Sequence, residues 1–260
     1  MIDIHTHILP GLDDGPEHLE ESIKMCRMAY DDGVRTIVAT PHMNDGMYNV
    51  KVSQVAEGVE RLADALASEG ISMEILPGGD ISLTPETLPR LESGDLACVA
   101  FNGKYAMIEL PSDVVPSNIH DVIFELQSAG YLLIISHIER NLAVQRNLGI
   151  ARKIASWDTL MQVTAASIVG EFGRETQKCA QALIEQRLGH VVASDMHRIN
   201  KRPPGRMTRA REMVSDIMTH QEVDEMFDVR PRSIISGEPV VIPEPLQKVK
   251  RTWWNIWGNA

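Results

Sequence analysis

The sequence has few cysteines and no thiolate motif. Its 3 cysteines are odd in number, far apart and outside any C-x-x-C spacing; they are Cys26, Cys98 and Cys179. Neither a disulfide framework nor a thiolate zinc site is therefore expected. A reducing, cytoplasmic compartment suits such a chain best.

The chain also lacks long hydrophobic runs and an excess of basic residues. No stretch is long enough to cross a bilayer, and the first residues show no basic segment followed by an apolar run, so we expect no membrane span and no secretory signal. The formal net charge is −11, with 25 Lys and Arg against 36 Asp and Glu. This balance disfavours nucleic acid as a partner, because binding a phosphate backbone needs clustered basic side chains.

Short apolar runs alternate with helical patterns along most of the 260 residues. Apolar residues at helical spacing predict helices over about 17–32 and 52–70. Apolar runs predict strands at 1–4, 34–39, 73–76, 105–110, 131–135, 160–164 and 190–193. The alternation favours a single-domain α/β fold with a parallel barrel, in which the chemistry lies at the carboxyl ends of the strands.

A proline-rich stretch divides the chain into a predicted catalytic domain, residues 1–245, and a tail, residues 246–260. The tail contains three of the four tryptophans, namely Trp253, Trp254 and Trp257. Two interpretations of the tail stay open. It packs on its own domain or a neighbouring subunit, or it contacts a membrane surface or a partner through these rings and the adjacent basic side chains.

Histidines and carboxylates occur where predicted strands end. Residues two apart on a strand point to the same side, so His5 and His7 project as a pair, as do the residues at 195 and 197. The candidate metal ligands are His5, His7, Asp14, His42, Asp80, Glu109, His137, Asp195 and His197. Nine ligands are too many for one ion, so two or three ions are implied. Imidazole and carboxylate without thiolate suit Mn²⁺, Fe²⁺ or Zn²⁺, and the many carboxylates favour Mn²⁺.

Several of these residues also have an ordinary structural explanation. Asp14 precedes a predicted helix start and could act as its N-cap. A single histidine at position 42 or 137 would more commonly be a hydrogen-bonded core residue, whereas an unpaired buried Glu109 is too costly to leave without a cation. The other four histidines are interpreted as surface or structural residues; they are His18, His120, His190 and His220.

The motifs, taken in order, resemble one known superfamily. They are MIDIHTHILPGLDDGP at residues 1–16, TPH at 40–42, HIER at 137–140, QVTAAS at 162–167 and SDMH at 194–197. With this order and spacing the sequence resembles the polymerase and histidinol phosphatase (PHP) superfamily. More narrowly, it is similar to the bacterial manganese-dependent protein tyrosine phosphatases of capsule and exopolysaccharide clusters.

The resemblance implies a distorted (β/α)7 TIM-like barrel with a trinuclear metal cluster. The implied ligand groups are His5, His7 and Asp195 for one ion, Glu109 and His137 for a second, and Asp14, His42 and His197 for a third. Asp80 would bridge the first two ions. The family usually has glutamate at this position, so the shorter side chain requires a closer approach of the backbone, or else leaves the bridge incomplete.

The implied reaction is hydrolysis of a phosphate ester. A metal cluster lowers the pKa of bound water to about 7 and holds the oxygens of an in-line displacement. Arg140 and Arg202 are predicted to bind the phosphate oxygens, because guanidinium matches their geometry; in the resembling phosphatases, arginines at these positions serve that role. The ordinary alternative for each is a surface salt bridge.

A cysteine-nucleophile route is excluded, because no arginine stands six residues after any of the three cysteines. The hypothesis is direct attack on phosphotyrosine by a metal-bridging hydroxide, without a phosphoenzyme intermediate. By resemblance, the partner is an autophosphorylating bacterial tyrosine kinase in control of polysaccharide export.

Two alternatives stay open. The first keeps the site and changes the substrate: a small-molecule phosphatase such as a histidinol phosphatase, or a phosphoesterase acting on nucleic acid. The second is a non-catalytic metal-binding scaffold that docks a kinase through the tail. Kinetics on a phosphotyrosine peptide against histidinol phosphate would separate the substrates, and deletion of the tail would separate docking from catalysis.

Overall fold

The architecture is that of a computed structural model, which describes residues 1–246. The tail predicted for residues 246–260 therefore lies, apart from its first residue, outside the described residues. Among residues 1–246, no helix is long and apolar enough to cross a membrane.

Strands and helices alternate through the described chain. The strands are β1 (Ile2–Thr6), β2 (Thr36–Ala39), β3 (His42–Met43), β4 (Glu74–Pro77), β5 (Asp80–Ser82), β6 (Tyr105–Glu109), β7 (Leu132–Ile135), β8 (Leu160–Thr164) and β9 (Val191–Ala193). The helices are α1 (Leu19–Asp31), α2 (Val52–Ser68), α3 (Thr87–Glu92), α4 (Ile119–Ser128), α5 (Leu142–Arg146), α6 (Gly149–Ala155), α7 (Ala165–Val169), α8 (Arg174–Glu185), α9 (Met207–Ser215), α10 (His220–Asp224) and α11 (Arg230–Ser236). Short 3₁₀ turns occur at Val99–Phe101 and Ile138–Arg140, and a π-turn occurs at Glu225–Val229.

All strand pairs are parallel and form two curled sheets, in the orders β1-β2-β4 and β3-β5-β6-β7-β8-β9. Only two residues separate β2 from β3, and only two separate β4 from β5, so the chain passes twice from the first sheet to the second. At the other edge, the His7 amide donates to the Met196 carbonyl and the Asp195 amide to the His5 carbonyl, both at 2.9 Å. The fold is a single α/β domain with a curled parallel sheet.

The strands read as apolar runs because parallel strands are buried on both faces. Every residue of β1 and of β8 is buried. The helices cover the outside through one apolar face each. In α2 this face consists of Val55, Val59, Leu62 and Leu66, all buried, as the helical spacing predicts.

The predicted strands are all present, with ends that differ from the prediction by at most two residues. Two short strands were not predicted: β3 and β5, which begin at His42 and Asp80 and pair with each other. The first helix starts at Leu19 rather than near position 17, and its N-cap is His18. The N-cap explanation of Asp14 is therefore wrong.

Candidate metal centre

The nine candidate ligands come together at the carboxyl ends of the strands. Three groups of their ligand atoms lie close enough to hold a metal ion: His7, Asp14, His42 and His197; His5, His7 and Asp80; and His42, Asp80 and Glu109. His5, His7, Asp80, Asp195 and His197 are at most 1% exposed, whereas Glu109 and Asp14 are 26% and 30% exposed at the open side.

The Asp80 carboxylate occupies the middle of the cluster. Its Oδ2 atom lies 3.5 Å from His5 Nε2, 3.6 Å from His42 Nδ1 and 3.8 Å from His137 Nε2. Glu109 lies beyond it, with its oxygens 3.6 Å from His42 Nδ1 and 3.5 Å from His137 Nε2. His42 and Asp80 are register partners on β3 and β5, and Glu109 on β6 is the register partner of Ser82, two residues after Asp80 and therefore on the same side of the sheet.

The two oxygens of the Asp195 carboxylate face different neighbours. Oδ1 lies 3.5–3.6 Å from nitrogens of three histidines: His5, His7 and His197. Oδ2 accepts hydrogen bonds from two arginines, Arg140 Nη1 at 2.6 Å and Arg202 Nη1 at 3.0 Å. Asp195 adopts φ +52°, a left-handed conformation that is uncommon for a residue other than glycine. The Asp195 carboxylate thus contacts the imidazole cluster through one oxygen and the two arginine guanidiniums through the other.

Arg202 lies between Asp195 and Asp14, and donates to both carboxylates. The Oδ1 atom of Asp14 is 3.2 Å from His197 Nε2 and 3.6 Å from His42 Nε2, and its Oδ2 accepts from Arg202 Nη2 at 3.2 Å. His42 therefore faces both Asp14, through Nε2, and Asp80, through Nδ1. It lies between two of the three ligand groups.

The tautomers of His5 and His7 leave two lone pairs facing each other. His7 Nδ1 lies 2.6 Å from Asp13 Oδ2, and His5 Nδ1 lies 3.1 Å from Gln162 Oε1. Because a carboxylate and a carbonyl oxygen only accept, each Nδ1 carries the proton. The two Nε2 atoms are 3.2 Å apart and both unprotonated, an arrangement that a cation between them would stabilise.

Several buried polar atoms of the cluster have no partner at hydrogen-bonding geometry within residues 1–246. They are Asp14 Oδ1, His42 Nδ1, both oxygens of Asp80, Asp195 Oδ1 and His197 Nε2. Buried polar atoms are normally paired, so this concentration calls for a ligand. Two ligands that share one ion lie roughly 3–3.5 Å apart, close to the separations given above. The residues fit a group of divalent metal ions.

The ionisation states of the deepest residues also suit metal binding. Burial would raise the pKa of Asp80, but His5, His137 and His42 hold it at about 2. Burial and the neighbouring cationic groups lower the pKa of His7 well below its usual value, and burial lowers that of His5. Metal ligands must be deprotonated carboxylates and neutral imidazoles, and the shifts of Asp80, His5 and His7 favour those states. For His42 and His137 burial is outweighed by the neighbouring carboxylates, which raise the pKa.

The two predicted phosphate-binding arginines lie beside the cluster. Arg140 follows His137 on the turn after β7, and its guanidinium also lies over the Phe172 ring, 4.9 Å from its centroid. Arg140 is 33% exposed and Arg202 17% exposed, so both are more accessible than the buried histidines. Their carboxylate partners, Asp195 and Asp14, belong to the cluster. The ion pairs of these two arginines are therefore not ordinary surface salt bridges.

Asp13 is a further site residue that the sequence analysis missed. Its side chain is 1% exposed, and besides His7 it accepts from the backbone amides of Gly15 at 2.9 Å and His42 at 3.0 Å. Asp13 follows no strand directly, and the sequence offers as a signal only its position beside Asp14 in the run after His7. Its carboxylate accepts from the second nitrogen of a ligand histidine, as outer partners of metal ligands commonly do.

We expect Asp13→Ala to weaken Mn²⁺ binding by about 10–100-fold, the usual cost of losing such an outer partner. Without Asp13, His7 can rotate or place its proton on Nε2. Calorimetric titration with Mn²⁺ measures the change. Asp31→Ala, at the exposed end of α1, is the matched control and should keep the wild-type affinity for Mn²⁺. If Asp13→Ala and Asp31→Ala bind Mn²⁺ with equal affinity, Asp13 does not orient His7.

The short Asp80 side chain reaches its neighbours because the preceding backbone packs closely. A Cβ atom on Gly79 would lie 2.6 Å from Met43 Sδ, and one on Gly78 would lie 2.9 Å from Val38 Cγ1. Because neither glycine carries a Cβ atom, the backbone before β5 can pack closely enough for β5 to pair with β3 from its first residue. Of the two consequences expected for aspartate at this position, the geometry favours the close approach.

We expect Asp80→Glu to give no gain in metal content and to lower the free energy of unfolding by about 1–3 kcal/mol, the usual cost of an added methylene in a packed site. Denaturant unfolding in the presence of a chelator, together with metal analysis, tests this. A higher metal content or kcat/KM than the wild type would instead show that the shorter carboxylate is a handicap.

A parallel α/β fold with imidazoles and carboxylates gathered at its strand ends is the hallmark of metal-dependent hydrolases. The chain belongs to the CpsB/CapC family of capsular polysaccharide synthesis, whose model matches residues 1–236. The resemblance drawn from the sequence motifs to the capsule-associated tyrosine phosphatases is thereby confirmed.

Relatives of the chain are named as tyrosine phosphatases. Tyrosine-protein phosphatase YwqE of Bacillus subtilis is 37% identical over 202 residues, which are 78% of this chain and 79% of that protein. Tyrosine-protein phosphatase CpsB of Streptococcus pneumoniae is 31% identical over 243 residues, 92% of this chain and 99% of that protein. The putative tyrosine-protein phosphatase CapC of Staphylococcus aureus is 29% identical over 256 residues, 98% of each chain.

One solved structure agrees with this assignment, and a second shares only the fold. A chain from the crystal structures of YwqE and CpsB, described as unique metal-dependent tyrosine phosphatases, matches with a TM-score of 0.88 at 32% identity, covering 95% of this chain and 100% of that one. The L-hydantoinase of Arthrobacter aurescens matches with a TM-score of 0.55 at 12% identity, covering 92% of this chain and 71% of that one, and shows a likeness of fold alone.

Proposed function

We propose that the protein is a metal-dependent protein tyrosine phosphatase that hydrolyses phosphotyrosine with two or three Mn²⁺ ions. The observation that carries the proposal is the arrangement around Asp195, whose Oδ1 faces three imidazoles while its Oδ2 binds two arginines. A cationic phosphate-binding edge thus adjoins a set of metal ligands, as hydrolysis of a phosphate ester requires.

The ligands proposed for the ions are the nine residues of the cluster. The proposed grouping is His5, His7 and Asp195; Glu109 and His137; and Asp14, His42 and His197; with Asp80 shared by the first two. The mixture of carboxylate and imidazole, without thiolate, supports Mn²⁺ over a softer metal, although Fe²⁺ and Zn²⁺ accept the same donors.

Bound divalent ions supply a hydroxide nucleophile at neutral pH and neutralise negative charge on the phosphate. The protein's own residues bind and orient the substrate. The Arg140 and Arg202 guanidiniums present donors at the edge of the cluster, where they can hold non-bridging phosphate oxygens and so orient the phosphorus for in-line attack. The leaving phenol has a pKa near 10, so its departure needs little help from a general acid.

The cysteines of the protein support transfer to water rather than to a thiol. All three are free and buried. Burial raises the pKa of Cys26 and Cys179 to about 12 and that of Cys98 to about 11. Because the thiolate is the nucleophilic form, none of them is suited to form a phosphoenzyme.

We also propose a seven-stranded (β/α)7 barrel for the fold. In support, only two residues separate β2 from β3, and only two separate β4 from β5, so each pair counts as one interrupted strand and the nine strands become seven. The segment after β9 pairs with β1, as closure of a barrel requires.

The proposed catalytic domain is residues 1–245, followed by a tail for contact with a membrane surface or partner. A cytoplasmic location and a tyrosine kinase of the capsule pathway as substrate complete the proposal.

Kinetics on two substrates test the proposed function. We expect the Mn²⁺-loaded protein to hydrolyse a phosphotyrosine peptide with a kcat/KM far above that on histidinol phosphate, and to lose this activity to a chelator. A preference for histidinol phosphate would make the protein a small-molecule phosphatase instead. Metal binding without turnover of either ester would favour a scaffold.

A further inference from the structure

Gln162 is fully buried on β8, beside the metal-ligand cluster, and is not one of the nine candidate ligands. Its Oε1 atom is the shared acceptor of two hydrogen bonds. One comes from His5 Nδ1 at 3.1 Å, and the other comes from the backbone amide of His137 at 2.7 Å. A single oxygen therefore touches two candidate ligands that are far apart in the sequence.

The first contact sets which nitrogen of His5 faces the cluster. Because the carbonyl oxygen of Gln162 only accepts, His5 carries its proton on Nδ1. The unprotonated Nε2 then points at carboxylate oxygens of Asp80 and Asp195, each 3.5 Å away. In the other tautomer, Nε2 would carry a hydrogen and could not bind a cation.

The second contact holds an unusual backbone conformation. His137 adopts φ +31°, which is uncommon for a residue other than glycine and requires support from its surroundings. This conformation turns the side chain so that Nε2 lies 3.5 Å from Glu109 Oε1 and 3.8 Å from Asp80 Oδ2. A hydrogen bond to the amide of the strained residue itself opposes its relaxation.

We propose that Gln162 is a positioning residue that fixes the His5 tautomer and the His137 backbone together, so that both imidazoles reach the metal ions. The proposal rests on the proposed metal-dependent function. Gln162 acts through the two histidines and does not itself touch an ion or the substrate. Its loss is expected to weaken metal binding at two ligand positions at once.

The surroundings of Gln162 indicate which substitutions are informative. The side-chain nitrogen has only one contact within residues 1–246, a long one of 3.4 Å to Thr164 Oγ1. The acceptor oxygen is therefore the important half of the carboxamide. Gln162→Glu keeps an acceptor in the same place, whereas Gln162→Met keeps the volume and removes the acceptor.

Calorimetric titration with Mn²⁺ of the full chain tests the proposal. We expect the Mn²⁺ Kd of Gln162→Met to rise by about 10–100-fold, the range for outer partners of metal-bound histidines, and Gln162→Glu to bind as the wild type does. The matched control is Gln127→Met on α4, whose side chain donates to the Trp157 carbonyl at 2.7 Å, away from the cluster. It should keep the wild-type Kd.

The outcomes separate this proposal from the proposed function. A wild type that binds no Mn²⁺ would overturn the metal-dependent function and the positioning role with it. A wild type that binds Mn²⁺, with Gln162→Met binding equally well, would overturn only the positioning role. Weak binding by both Gln162→Glu and Gln162→Met would also overturn it, because the loss would then follow any change in packing.

A measurement on the wild type covers the case in which Gln162→Met does not fold. Nitrogen-15 NMR of the Zn²⁺-loaded protein reports which ring nitrogen of His5 carries the proton. We expect a proton on Nδ1 and none on Nε2. A proton on Nε2 would overturn the proposal.

Discussion

Asp80→Asn is expected to abolish most Mn²⁺ binding and to lower kcat/KM on a phosphotyrosine peptide by more than about 100-fold, since loss of an outer partner alone costs up to that much. Asp80 is fully buried, and its Oδ2 is within 3.5–3.8 Å of His5, His42 and His137. Asparagine has almost the same shape, but it carries no charge and one of its two terminal atoms is a donor.

Metal content by elemental analysis and peptide kinetics measure this effect on the same preparation. Asp121→Asn makes the same change at an exposed position of α4 and should leave both quantities unchanged. Thermal unfolding in chelator checks that Asp80→Asn remains folded. A folded Asp80→Asn protein with full metal content and near-normal turnover would contradict the placement of Asp80 at the centre of the cluster.

Arg140→Ala is expected to keep its metal ions and to lose about 10²–10³-fold in kcat, the usual cost of removing one preorganised donor to a developing charge. Arg140 donates to Asp195 Oδ2 at 2.6 Å, and a guanidinium has no lone pair with which to bind a metal ion. Its guanidinium stays charged throughout the working pH range and can bind two phosphate oxygens at once.

Arg140→Lys distinguishes charge from geometry, because an ammonium keeps the charge but cannot form the paired hydrogen bonds. It should recover only part of the lost kcat. Arg209→Ala, at an exposed position of α9, is the control. Loss of metal from Arg140→Ala, rather than loss of turnover, would mean that the arginine serves chiefly to hold Asp195.

Much of the site could be predicted because its residues obey simple periodicity. His5 lies on β1 and His7 just beyond its end, two positions apart in extended backbone, so their side chains share a side. The positions of Asp195 after β9 and of Arg140 after β7 follow from parallel strands whose carboxyl ends meet at one edge. The apolar run of β7 (Leu132–Ile135) likewise predicts a buried parallel strand, and β7 lies between β6 and β8 in the sheet.

The rest depends on long-range contacts that no local pattern records. The strands β3 and β5 have only two and three residues and exist because His42 and Asp80 pair across a separation of 38 positions. The role of Asp13 depends on which imidazole its side chain reaches, and the left-handed backbone of Asp195 is imposed by the closure of β1 on the segment after β9.

The protein is expected to need bound metal ions in order to hydrolyse phosphotyrosine. The purified protein is analysed for metal content and assayed on a phosphotyrosine peptide before chelation, after chelation and after return of Mn²⁺. We expect two to three ions per chain, loss of activity when the ions are removed, and recovery when Mn²⁺ is returned. Full activity in a protein shown to be free of metal would contradict this expectation.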